Sequence, residues 1–229
     1  MSSEVATRHL QRGNIQREVI IEPLHLAGDL RVPAGAGGLV VFAHGSGSSR
    51  LSPRNRAVAE ALNEQGIATL LFDLLTPDEE LNRANVFDIP LLGERLTDVV
   101  SWIDRQPELV GLPLGFFGAS TGAAAALVAA ARIGVRIGAV VSRGGRPDLA
   151  GMALQEVIAP TLFIVGGRDS GVIELNEQAY ARLRCQKSLE IVPGATHLFP
   201  EPGAMEEVIA LAGRWFKTYL VPLAQHRAR

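Results

Sequence analysis

The sequence predicts an α/β protein with a mostly parallel central sheet of about eight strands and helices on both faces. Two observations carry this. From Val40 onward, short apolar runs of strand length alternate with stretches of helical spacing, the order that crossover helices impose on a parallel sheet. Runs such as Leu39-Val40-Val41-Phe42-Ala43 are apolar throughout, as in strands buried on both faces. Hydrophobic residues make up 47% of the 229, enough for a three-layer core, and charged residues 20%, ordinary for a globular surface.

The elements follow in order. Residues 1–15 are polar and aperiodic and are expected to form a mobile arm, with a single domain over 16–221 and a tail over 222–229. Residues 19–21 and 24–32 read as a pair of short strands, separated by Pro23 and a Gly28-Asp29 turn, and suggest an antiparallel edge. The strand 39–43 leads to a helix over 53–65, with Val58, Ala59 and Leu62 on one side and Gly66 as its stop. A strand over 67–72 and a long helix over 88–106, ended by Pro107, come next. Strand 112–117 precedes a small-residue helix over 123–131, and strand 137–141 a short helix over 152–158, stopped by Pro160. Strand 161–165, helix 174–183, strand 189–192 and helix 204–220 complete the chain. No lid-sized insertion separates 141 from 161, so the site should be open or shallowly capped, with no large lid.

Composition narrows the function. A net charge of −2 argues against nucleic acid or an anionic membrane as partner. The single cysteine, Cys185, allows no internal disulfide and reads as a structural thiol. Met1-Ser2-Ser3-Glu4-Val5 carries no apolar signal core, and the longest apolar stretch, 123–131, is too short to span a bilayer. A soluble cytoplasmic protein is expected.

The chemistry centres on Gly118-Ala119-Ser120-Thr121-Gly122, between a strand-like run and a helix-like run. That is the strand–turn–helix setting of a nucleophile elbow, whose sharp turn needs nearly side-chain-free neighbours. Ser120 is the candidate nucleophile; its competing reading is an ordinary helix N-cap. His197, in a loop after the last strand, is the candidate base, because parallel sheets place ligands at the carboxyl ends of their strands. Asp169, after strand 161–165, is the candidate acid that orients the imidazole. Asp148, after the preceding strand, is its rival, though it also reads as a helix N-cap. Two backbone donors should hold the oxyanion: Thr121, directly after the nucleophile, and Ser46, in the loop His44-Gly45-Ser46-Gly47-Ser48-Ser49-Arg50. No Gly-Lys-Ser/Thr follows that loop, so it is not a P-loop. Arg143 and Arg146 would face the same rim and could bind a substrate carboxylate, or pair with local acids such as Asp148. No His, Cys and carboxylate cluster has metal-ligand spacing, so neither metal nor cofactor is expected.

Serine, then acid, then histidine is the chain order of α/β-hydrolase triads. With the His44-Gly45-Ser46 loop, the chain resembles the α/β-hydrolase superfamily over nearly its whole length. The stretches HGSGSSR, FGASTGAAAALVAAA, VSRGGRPDLAG and GGRD…PGATHLF resemble its dienelactone-hydrolase-like branch, especially the hydrolase domain found fused to phosphoribosyltransferases. A phosphoribosyltransferase domain is not expected within these 229 residues. Dienelactone hydrolases carry cysteine at the elbow where this chain has Ser120. The resemblance and the residues together imply a serine esterase acting on a small ester, lactone or thioester through an acyl-enzyme. A non-catalytic binding protein of the same fold, or an acyltransferase using the same triad, are the alternatives.

Overall fold

Eight strands form one sheet in the order β1-β2-β4-β3-β5-β6-β7-β8. The computed structural model describes residues 14–221. Of the arm expected over residues 1–15, only Asn14 and Ile15 are described, and Ile15 already opens β1; the expected tail lies outside the described residues.

β1 (Ile15–Ile21) and β2 (Leu26–Val32) pair antiparallel, and β2 is antiparallel to β4 (Ala68–Phe72). From there the sheet is parallel through β3 (Leu39–Ala43), β5 (Leu114–Ala119), β6 (Ile137–Arg143), β7 (Thr161–Gly166) and β8 (Lys187–Val192). The expected Gly28-Asp29 turn is not formed. The chain reverses earlier, between Ile21 and Leu26, and Gly28 and Asp29 both lie inside β2. Burial alternates through them, with Leu26, Gly28, Leu30 and Val32 inward, and Asp29 faces outward to ion pairs with Arg50 (3.6 Å) and Arg56 (3.1 Å). A strand of period two outweighs the local turn composition.

Residues on alternate sides of the central strands build two cores. Val41, Phe116 and Phe163 pack on the face covered by α3 (Ile89–Ile103) and α4 (Thr121–Ile133). Phe42, Phe117 and Ile164 pack on the opposite face, under α1 (Pro53–Glu64) and α6 (Ala204–Leu220). α4 is alanine-rich and buried from Thr121 to Ala130, which lets it lie close against the sheet below the elbow. α5 (Ser170–Arg182) follows β7. The short helix expected over 152–158 is instead a ten-residue 3₁₀ stretch, Pro147–Glu156, broken where Gly151 takes a positive φ of 56°.

Residues 73–87, to which the sequence assigns no element, hold α2 (Pro77–Glu80) and a 3₁₀ turn, Asn85–Phe87. Thr76 and Glu79 form a capping box: each side chain accepts from the other's backbone N–H, at 3.3 and 2.9 Å. Among the described residues, no helix is long and apolar enough to cross a membrane.

Candidate active site

The elbow forms where expected. Ser120 stands between β5 and α4 at φ 50° and ψ −122°, a strained conformation for a residue with a Cβ. The positions two residues to either side could be nothing but glycine. A Cβ on Gly118 would lie 2.4 Å from Ala123 Cα, and one on Gly122 would lie 2.2 Å from the Ala43 carbonyl oxygen. These are backbone atoms of the elbow helix and of the adjacent strand, so neither can yield. Ser120 sits at the N-cap position of α4, yet its side chain makes no capping hydrogen bond. Its hydroxyl is spared from the cap role that competed for it.

Asp169 and His197 are brought together from the carboxyl ends of β7 and β8. His197 Nδ1 and Asp169 Oδ2 are 2.6 Å apart, with the carboxylate mostly covered and the imidazole 39% exposed. Asp169 is likewise at a helix N-cap position, that of α5, without capping it. The rival acid is spent elsewhere. Asp148 accepts from Arg146 Nε at 2.9 Å and Nη2 at 2.8 Å, a bidentate pair. It lies inside the first turn of the 3₁₀ stretch, whose N-cap is Arg146, so the expected capping role of Asp148 is not found.

The segments expected to supply oxyanion donors are bonded to each other: the Ser46 amide donates to Thr121 Oγ1 at 3.0 Å. Thr121 opens α4, where a helix N–H has no intrahelical acceptor. His44 anchors this loop from below. Its Nδ1 lies 3.0 Å from the Gly45 carbonyl and its Nε2 accepts the Leu74 amide at 3.1 Å, partners that fix the Nδ1–H tautomer. Burial lowers its pKa, so it stays neutral near pH 7.

Of the two roles open to the arginines, Arg146 takes the pairing with a local acid, and Arg143 takes neither. Arg143 turns inward, 5% exposed, with Nη2 donating to Asn55 at 3.3 Å and its guanidinium 5.9 Å from the Phe199 ring centre. Burial, with Arg54 nearby, depresses its pKa to about 10. An alternating strand sends successive side chains to opposite faces, and the sequence does not say which face the last residue of β6 takes. Arg146 donates to Asp148 instead.

Two supporting residues were not visible to motif reading. Glu201 accepts from the Thr196 amide at 3.1 Å and its hydroxyl at 2.7 Å, clamping the loop just before His197. Those bonds, the Thr196 hydroxyl first, lower the Glu201 pKa. Glu80, in the unassigned 73–87 segment, lines a cleft of about 380 Å³ beside Thr121, with Leu74, Leu75, Val86, Leu92 and the 44–49 loop. That volume is at the low end of the roughly 300–1,000 Å³ typical of small-molecule sites. A larger cleft, about 460 Å³, lies over β1, β2 and α1, but none of its lining residues belongs to the elbow or the loops after β7 and β8. The smaller one borders Thr121 and the 44–49 loop, the two segments expected to supply oxyanion donors. Among the described residues, no group of three His, Cys, Asp or Glu could hold a metal ion.

Sheet order, elbow and loop placement together define an α/β hydrolase, and the alpha/beta hydrolase domain model matches residues 36–208, so the chain belongs to that family. A solved dienelactone hydrolase from Anabaena variabilis is 53% identical, with a TM-score of 0.87 over 92% of this chain and 99% of that one. Est1E from Butyrivibrio proteoclasticus, 18% identical with a TM-score of 0.73 over 89% of this chain and 98% of its own, shares the fold. A Mycobacterium tuberculosis protein named provisionally as a phosphoribosyl transferase is 62% identical over 203 residues. Those residues are 89% of this chain but 46% of the relative, so the chain spans about half the relative's length.

Proposed function

We propose that the protein is a serine hydrolase that cleaves a small ester, lactone or thioester through an acyl-enzyme. The observation that carries this reading is the 2.6 Å contact of His197 with Asp169, on loops that follow β7 and β8, the last two strands of the sheet. Asp169 accepts from Nδ1–H and leaves Nε2 of His197 as the base. As Ser120 Oγ bonds to the acyl carbon, its proton passes to His197 Nε2 and the carbonyl electron pair moves onto oxygen. Collapse breaks the bond to the leaving group, which takes the proton from Nε2. Water repeats the sequence and frees the acid.

The oxyanion would meet the Thr121 amide at the positive end of α4, a helix of 13 residues. The Ser46 amide is the second donor; to serve it must trade Thr121 Oγ1 for the oxyanion. The transferase activity in the mycobacterial relative's name is not carried over, since the shared part is the hydrolase domain.

A fluorophosphonate probe should add once, at Ser120. Ser120→Ala should abolish labelling and lower p-nitrophenyl butyrate turnover by at least ~10³-fold. Labelling at another residue, or an alanine variant that keeps its rate, would remove Ser120 from the role.

A further inference from the structure

We propose that the cleft beside Thr121 selects short acyl groups carrying a positive charge at the far end, with Glu80 as counter-charge. The inference rests on the serine-hydrolase reading and adds the substrate class.

The cleft lies on the acyl side of the reacting carbon. The leaving group must take its proton from His197 and therefore departs on the histidine side. No residue of the loops carrying Asp169 or His197 lines the cleft, whereas Ser46 and Thr121 both do. An acyl chain held at the oxyanion donors thus runs away from His197 and into this space. Leu74, Leu75, Val86 and Leu92 supply apolar wall for a few methylenes.

The charge in the cleft wall comes from Glu80. Its neighbour Glu79 is fully committed, to the Thr76 cap and to Arg95 at 2.5 Å. Glu80 has no ion-pair partner among the described residues. Among the described residues, no lysine or arginine lines the cleft. Arg50 is engaged with Asp73 at 2.7 Å and Arg146 with Asp148 at 2.8 Å, and Arg83, three residues after Glu80, forms no ion pair with it. The other titratable group in the wall, His44, has both ring nitrogens occupied and stays neutral. A carboxylate tail would meet uncompensated negative charge, the reverse of the carboxylate binding that Arg143 or Arg146 could have supplied from the rim.

Three p-nitrophenyl esters with matched tails test this: 4-(trimethylammonio)butanoate, its neutral isostere 5,5-dimethylhexanoate, and the glutarate half-ester. In the unaltered protein, kcat/KM should favour the cationic ester over the neutral one by about two- to fivefold, and disfavour the anionic one similarly, as for an ion pair in an open cleft. Both ratios should shrink as salt rises. In Glu80→Gln the ratios should approach one, and in Glu80→Lys the order should invert. Ratios are taken within each variant, so a loss of folded protein cancels. Equal ratios in the unaltered protein and Glu80→Gln, or a preference for the glutarate ester, would overturn the proposal while leaving the hydrolase reading intact. If no ester is turned over and the fluorophosphonate fails at Ser120, both fall together.

Discussion

Two neighbouring loops begin almost alike and end differently. Gly144-Gly145-Arg146-Pro147-Asp148 follows β6, and Gly166-Gly167-Arg168-Asp169 follows β7. In the first, the carboxylate folds back onto its own loop's arginine; in the second it reaches His197. The backbone explains the split. The first loop is tied to the elbow, with the Arg146 amide donating to the Ser120 carbonyl at 3.0 Å. The second is tied to the histidine loop, with the Gly167 amide donating to Val192 at 2.8 Å and the Arg168 amide to Ala195 at 2.9 Å. Pro147 adds one residue to the first loop and opens the 3₁₀ stretch. Near-identical sequence therefore yields one acid held against His197 and one that braces the loop beside the elbow. The deciding factor is which neighbour the loop's amides find.

The largest effect should break the symmetry outright. Asp169→Asn should lower esterase turnover by about 10³–10⁴-fold by favouring the wrong imidazole tautomer. Asp148→Asn, measured under the same conditions, should stay within a few-fold. The opposite ranking would move the acid to β6.

A smaller loss should come from the contact that seats the histidine loop. A Cβ on Gly166 would lie 2.5 Å from the Ala195 carbonyl oxygen and 2.7 Å from that of Thr196. Gly166→Ala should displace His197 and cost about 10²-fold in turnover, together with ~1–3 kcal/mol in urea unfolding. An alanine variant with native rate and stability would show that the loop is not held from this side.

Smaller again is the clamp on the same loop. Glu201→Ala frees Thr196, and turnover should fall by about three- to tenfold, with Glu201→Gln recovering part of it through its remaining acceptor. The Glu201 pKa is depressed in the folded state, so the clamp holds above the carboxylate's ordinary pKa and weakens as pH falls through the depressed value. The two variants should therefore converge with the parent at acidic pH; a gap that stays constant down to pH 3 would refute the clamp. The smallest effect belongs to the first loop's ion pair: Arg146→Ala should shift stability by no more than ~1 kcal/mol, since that guanidinium is 37% exposed.

The sequence carried the sheet and the sharp turn at Ser120 because each rests on local rules. Helix α6 ends where its apolar periodicity ends, and the all-apolar runs became the central strands. What it concealed depends on partners far along the chain. Arg143 reads as a rim cation until β6 is placed in the sheet, where its side chain meets Asn55 and Phe199, from α1 and the segment after β8. Residues 73–87 carry helices of three and four residues, too short for any periodicity, and the capping box that marks α2 stands before no apolar run. Gly28-Asp29 has turn composition, but pairing with β1 and β4 on either side keeps it extended. The engagement of the Ser46 amide by the Thr121 hydroxyl joins residues 75 positions apart and has no local signature.

The hydroxyl at position 120 also bears on how the protein meets peroxide. Oxidants act on thiolates, converting them to sulfenic and then sulfinic acid, and a cysteine in an elbow is open to that attack. An alcohol offers no such reaction. The single thiol, Cys185, sits beside Thr161 near the start of β7, at the end of that strand away from Asp169, and burial raises its pKa. Little of it is thiolate at neutral pH, so hydrogen peroxide and iodoacetamide should both leave the elbow untouched. A protein with sulfur at this turn would be silenced by either reagent; this one should keep its reactivity through oxidative exposure.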